Sequence, residues 1–473
     1  MSNTITIRKG LDLPIGGAAE LRLTDARSIT TYAIRPTDFV GLTPRLVVEE
    51  GDIVHLADAL FVDKHDERIR FTSPVDGHVK AIVRGEKRKL LEVVVEADYK
   101  SAGLTGSDCK SSPTPQKPQT ADEIKAAMLQ CGLWTLLRQR PFGTIANPDD
   151  KPKAIFVSAF SSAPLAPDYD FALQGREEWF KKGLHALAKL TDGKVHVCFK
   201  PEQRLVEQLS TLNSQLSTHY IKGPHPAGNI GTQIAHIDPI NKGETVWTMN
   251  AQDVAVLGEL VTTGVYRPEK VIAVAGPNIK NPHYYRVKAG ACLSEIIKGQ
   301  LLNNDYPRID VNDAAKKNRI ISGNILSGTQ IATDGFIGAY DDLVSILPEG
   351  DYYDFMGWLM PGFRKFSFSR TFLSGILSTL NSQLSTYRFD TNTHGDERPL
   401  VFTGNFERVF PFDIYPTQLI KACVVGDIDL MENLGIYEVE PEDFALCEFI
   451  DTSKTDIQVI IREALEKLRK EVV

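Results

Sequence analysis

Between residues 46 and 83 apolar and polar side chains alternate in short runs, each ended by turn-forming residues: Glu50-Gly51-Asp52, Lys64-His65-Asp66 and Asp76-Gly77. A period of two with such breaks predicts small antiparallel strands joined by hairpins. Gly51 and Gly77 suit tight turns, and Val47, Ile53, Val54, Leu60, Ile69, Phe71, Val75, Val79 and Ile82 form the expected buried face. Residues 1–100 are read as one such module. Residues 101–120, rich in Ser, Thr, Pro, Gly and Lys, are read as a linker.

Beyond the linker the period changes. Ile124, Met128, Leu133 and Leu136 predict a helix over 121–137, followed by a turn at Arg140-Pro141-Phe142-Gly143. The run 154–160 predicts a buried strand, 171–190 a helix and 194–199 the next strand, which together make a parallel unit. A second unit follows, with a helix over 251–263 stopped by Gly264 and a strand at 271–275. Residues 121–270 are therefore expected to form a Rossmann-like α/β domain. The dinucleotide fingerprint is missing, because the first strand leads into Ser161-Ser162-Ala163-Pro164 and not into a glycine loop.

Composition narrows the function classes. A chain of 473 residues holds three or four domains, and 42% apolar with 24% charged residues is ordinary for a globular protein. The 53 basic and 61 acidic side chains give a net charge of -8, so no basic field draws nucleic acid or an anionic bilayer. The first residues lack the apolar core of a signal peptide, and no window of eighteen apolar residues occurs, so a soluble, cytoplasmic protein is expected. Even the longest uncharged stretch, 371–387, is laced with Ser, Thr, Asn and Gln. Cys109, Cys131, Cys198, Cys292, Cys423 and Cys447 are scattered, and the ten histidines form no metal-binding pattern, so neither zinc nor an iron-sulfur cluster is expected. The decapeptide LSTLNSQLST occurs at 209–218 and again at 377–386 with unrelated flanks. It reads as a low-complexity insertion carried on the surface.

Several motifs carry family resemblances. The N-terminal module resembles the barrel-sandwich domain of lipoyl and biotin carriers, with Lys64 near the tip where carriers present their modified lysine. The spacing from Lys64 to Ser73-Pro74-Val75-Asp76-Gly77 is longer than in carriers, and no Met flanks the lysine, which favours a docking module without an arm. Lys222-Gly223-Pro224-His225-Pro226-Ala227-Gly228-Asn229 resembles the loop shared by the NADH-binding flavin subunit of respiratory complex I and the C subunit of the Rnf complex. That likeness implies an ubiquitin-like (SLBB-type) domain over 271–335, a connecting segment over 336–400 and a C-terminal helical domain over 401–473 resembling a ferredoxin domain. The stretch Phe410 to Leu419 has the shape of a cluster motif without cysteines. In Cys447 to Lys454, a likeness to CxxxCPSK, Asp451 and Thr452 replace Cys and Pro, so one thiolate is left and no clusters are held.

With Ile7 to Ile15, Gly335-Phe336-Ile337-Gly338, Phe355 to Gly362 and Leu446-Cys447, the layout resembles the A subunit family of the sodium-translocating NADH:quinone oxidoreductases over nearly the whole chain. The resemblance implies a peripheral subunit on the cytoplasmic side of a bacterial inner-membrane complex that uses NADH, flavins, iron-sulfur centres and quinone. It also implies partners among the membrane subunits and no cofactor in this chain. A quinone head group needs an apolar, aromatic cleft with hydrogen-bond donors for its carbonyls. His225, His236, His283, Tyr284 and Tyr285 are candidate donors, and Trp358, Phe363 and Phe366 candidate aromatics. The tyrosines also suit core packing, and the 355–368 segment suits a partner surface better than a quinone cleft. The acidic pairs Asp341-Asp342 and Glu442-Asp443 suit turns and helix starts, and no nucleophile stands in register with a base. The alternative reading is a carrier acylated by lipoate or biotin on Lys64.

Overall fold

The computed structural model describes residues 4–27, 29–99, 117–209, 214–302, 318–352, 356–357, 359–363, 365–369, 372–374, 387 and 389–472. The fold is multidomain α/β. In the N-terminal module two small sheets enclose one core. The first orders strands Thr31–Ile34, Leu90–Ala97, Gly77–Arg84 and Ile53–Val54, the second Pro44–Leu46, Ala59–Asp63 and Arg70–Thr72. Leu60, Phe61, Ile69 and Phe71 from the one and Val79, Val93 and Val95 from the other share a buried cluster. Two members of the expected face point outward instead, Val47 at 47% and Ile53 at 79% exposure. Each has an apolar neighbour in sequence, and the inward position goes to Val48 and Val54. Nor does Gly77 form a tight turn. It opens a strand, and a Cβ there would lie 2.0 Å from the Glu96 carbonyl oxygen, so glycine is needed for close backbone approach.

The α/β domain is built on a seven-stranded sheet in the order Thr4–Thr6, Leu216–Lys222, Lys194–Phe199, Ala154–Ser158, Val246–Asn250, Arg138–Arg140, Thr144–Ile145. Helices Glu177–Leu187 and Ala251–Thr263 cover one face, where Trp134 and Trp247 meet edge to face at 5.5 Å. Helix Ile230–Ile237 covers the other, packing on Ala154, Phe156 and Val246. The helix predicted over 121–137 spans Ala121–Cys131, opened by a capping box between Thr120 and Glu123 and closed by left-handed Gly132. The one predicted over 171–190 divides into Tyr169–Ala172 and Glu177–Leu187, with Gly175 at φ 80° between them. The described end of the first decapeptide copy is not a surface insertion. Its last residues begin the strand Leu216–Lys222, where Leu216, Ser217 and Thr218 pair with Val195, His196 and Val197. The second copy lies outside the described residues.

A six-stranded sheet follows, ordered Thr329–Ile331, Asn318–Ser322, Leu343–Pro348, Glu269–Ala275, His283–Lys288, Glu20–Asp25. It reaches beyond 271–335 at both ends, taking one strand from the N-terminal segment and one from the segment read as connecting. At the C-terminus five α-helices, from Phe406–Val409 to Ile457–Val472, surround a separate core of Phe410, Phe412, Leu419, Phe444, Ile461 and Leu465.

Candidate functional site

The four parallel strands that follow the linker lie in the spatial order third, second, first, fourth, so the winding of the sheet reverses between Ala154–Ser158 and Val246–Asn250. At such a reversal the connecting segments leave toward opposite faces and open a crevice at the carboxyl ends of the strands. A cavity of about 340 Å³ lies there, between the loop after Ser158 (Ser161 to Pro167), residues 340–343 at the start of strand Leu343–Pro348, and the C-terminal domain. A larger hollow of about 550 Å³, around Lys153, Gly193 and Thr245, lies at the amino ends of the same strands. Its lysines already pair with Asp238, Glu244 and Asp192.

The cavity wall is mostly polar. Arg138 and Arg140 alternate with Gln139 along an outer strand and so share a face. The Arg140 guanidinium is buried and pairs with Glu442 at 2.7 Å and Asp443 at 3.1 Å. Arg462 pairs with Glu440 at 2.9 Å and donates to the Phe142 carbonyl at 2.8 Å. Burial raises the pKa of the Asp443 carboxyl against the pull of Arg140. For Glu442 burial acts the same way, but Arg140 and Arg138 outweigh it and its pKa is lowered. The Asp443 carboxylate also sits against Gly231, near the start of helix Ile230–Ile237, where a Cβ would be 2.3 Å from Oδ1. On the opposite wall Asp342 accepts from the Tyr169 hydroxyl and from Asn250 at 3.3 Å. Asp341 accepts from Ser322 at 2.6 Å, and burial raises its pKa. Arg138 lies over the Tyr340 ring at 4.8 Å.

The predicted site residues do not converge. His225 is buried in the loop after Leu216–Lys222, its Nδ1 3.1 Å from Ser162 Oγ and its backbone N–H donating to Asp12 at 2.8 Å; burial lowers its pKa to about 4. His236 is exposed, its ring 2.8 Å from the Thr232 carbonyl one turn back. His283 is buried beside Arg22 and Thr24 of the neighbouring strand, and Tyr285 lies against its ring. Tyr284 faces the other way, packs on Phe171 and accepts from the Asp168 N–H at 2.8 Å. Phe366 is half-buried against Phe389 and Phe449, whereas Phe363 is 61% exposed. Trp358 lies outside the described residues. Around Phe363 an apolar surface is left bare: Met356, Leu359 at 63% exposure, Met360 and Leu373.

Lys64 is exposed at the start of the loop after Ala59–Asp63, but the loop is pinned. The Lys64 N–H donates to the Thr43 carbonyl, and Arg68 forks onto Asp149 of the α/β domain at 2.9 and 2.6 Å. In the C-terminal domain Cys447 is buried, and Asp451 accepts from the N–H groups of Ser453 and Thr455 just ahead of the last helix. Phe410, Phe412 and Phe444 pack ring on ring in that core, with centroids 4.8 and 4.7 Å apart. Among the described residues no group of three or more His, Cys, Asp or Glu is placed to hold a metal ion, and no helix is long and apolar enough to cross a membrane. Sequence reasoning misses Arg138, Arg140, Tyr340, Glu440 and Arg462. The available signal is the arginine pair at strand spacing; Asp341-Asp342 and Glu442-Asp443 stand out in the sequence but read there as turn residues.

Comparison with known proteins shows which family the chain resembles. The family model for the NqrA N-terminal barrel-sandwich hybrid domain matches residues 5–98, that for the NqrA second alpha/beta domain 119–266, and that for the NQRA C-terminal domain, of SLBB type, 271–309. Over 469 residues the chain is 38% identical to the A subunit of the Na(+)-translocating NADH-quinone reductase of Yersinia pseudotuberculosis, covering 99% of this chain and all of the relative. The counterpart from Serratia proteamaculans gives the same figures. That of Rhodopirellula baltica is 38% identical over 467 residues, 98% of each chain.

Proposed function

Because the chain belongs to the A subunit family of the Na(+)-translocating NADH-quinone reductases, we propose that it is the membrane-peripheral subunit of such a complex, attached on the cytoplasmic side. In this reading NADH, flavin and iron-sulfur chemistry belong to other subunits. The C-terminal helices are, in the same reading, a ferredoxin-like unit without clusters, supported by the ring packing of Phe410, Phe412 and Phe444 in their core. A chain with no redox centre acts on electron flow only by binding.

The observation that carries the reading is the bare surface of Met356, Leu359, Met360 and Phe363. An exposed group of large apolar side chains is costly in water and suits a surface covered by another protein. Membrane subunits would dock there, and any quinone contact of this chain would lie at the same place, where Phe363 and Phe366 supply aromatic area. The buried donors His225, His283 and Tyr284 are already engaged within the chain and fit packing better.

The test replaces Leu359 and Phe363 together with Ser in the whole complex. Expected are loss of co-purification with the membrane subunits, or of quinone reduction, while NADH oxidation by an artificial acceptor persists. Unchanged assembly and quinone turnover would refute the docking surface.

A further inference from the structure

We propose that the cavity at the winding reversal of the α/β sheet binds a small dipolar molecule, one carrying both a carboxylate and a protonated amine. The position is where ligands enter open parallel sheets of this topology, and about 340 Å³ is at the lower end of small-molecule sites. The assignment rests neither on the docking surface nor on the redox chemistry of the complex.

The ligand class follows from what the wall leaves unpaired. Arg462 is committed to Glu440 and the Phe142 carbonyl, and one oxygen of Glu442 to Arg140. One oxygen of Asp342 is taken by Tyr169 and Asn250. Two kinds of capacity remain among the described residues. The Arg138 guanidinium donates to no carboxylate or carbonyl oxygen; it lies over the Tyr340 ring and acts on Glu442 by charge alone, without an ion pair, so its planar fork is left for a carboxylate. The second oxygens of Asp342 and Glu442 accept no hydrogen bond and are free for an ammonium group. Glu440 Oε1, buried and without a partner, adds to the acceptor side. A simple anion would meet those carboxylates, and a simple cation would meet Arg138. A molecule with both ends satisfies both, and the Tyr340 ring holds the guanidinium in place by cation–π attraction.

The experiment is calorimetric titration and thermal melting of the full chain with glycine, β-alanine, 4-aminobutyrate, 5-aminopentanoate and 6-aminohexanoate. Acetate and methylammonium, separately and mixed, serve as the divided ligand. One chain length should bind saturably and raise Tm, because the span between fork and carboxylates is fixed. The divided ligand should bind at least about tenfold more weakly than that member. Arg138→Gln should weaken binding about tenfold or more, and Arg138→Lys, which keeps the charge but not the fork, should also weaken it if the Gln variant fails to fold. Saturable binding by no member, equal binding by acetate alone, or unchanged affinity in the folded Arg138 variant would overturn the assignment.

Discussion

Two regions break the usual division of polar and apolar residues in opposite directions. At the junction of the α/β and C-terminal domains, Arg140, Glu440 and Asp443 are charged groups taken out of water. Around Phe363, large apolar groups are left in it. The first arrangement is tolerable because each charge has a partner within 3.1 Å, and removing one partner strands the other. The second is tolerable only if something else covers it. The contrast separates two kinds of assembly: directional ion pairs fix how the domains of one chain meet, while a non-directional apolar surface waits for a separate chain.

Three outcomes would break or sharpen the contrast, the largest first. Arg140→Ala leaves Glu442 and Asp443 without their buried counter-charge and should cost about 3–5 kcal/mol in urea unfolding. Arg140→Met combined with Glu442→Gln and Asp443→Leu should recover most of it. A loss under about 1 kcal/mol for the single variant would mean that water enters the junction and that the pairs are ordinary surface bridges.

The pH dependence should be somewhat smaller and belongs to the same buried class. His225 has its pKa lowered in the fold to about 4 by burial, from an ordinary 6.5. Between those values the unfolded chain binds a proton that the folded chain does not. The contribution is therefore fully present above pH 6.5 and lost as pH falls through 4, amounting to roughly 3 kcal/mol. Comparing urea midpoints at the two ends of that window for the parent and His225→Gln isolates it, and equal slopes would show that the ring is hydrated.

At the apolar surface the expected effect on the isolated chain is the smallest. Ser at Leu359 and Phe363 should leave its stability within about 0.5 kcal/mol, since little packing is lost. A loss of several kcal/mol would place these side chains in the core and end the comparison.

Elements with a strong local signal were legible in the sequence. The strand Lys194–Phe199 and the helix Ala251–Thr263 with its Gly264 stop appear at the predicted bounds, because an unbroken apolar run and a left-handed cap act within a few residues. The strand Leu216–Lys222 was not, because its first residues are as polar as a loop and their place is set by Val195 to Val197 across the sheet. The bare surface was half legible: composition marked 355–368 as apolar, but only tertiary contacts turn Phe366 onto Phe389 and Phe449 and leave Phe363 outside. The cavity was invisible for a simpler reason. Its wall comes from residues near 138, 161–167, 323–343 and 440–462, and no window of sequence holds them together.

The first twenty-five residues have a consequence in time. Thr4 finds its strand partner at Tyr220, and Tyr285 is the partner of Thr24. On the ribosome, residues 4–25 emerge well ahead of these later segments and must wait for them before either strand can pair. Contacts so distant along the chain form late and slow folding. The barrel-sandwich module, whose strands pair within residues 31–97, can close meanwhile. The N-terminal segment is thus a seam sewn last, and cutting or extending it should delay the joining of domains that have already formed.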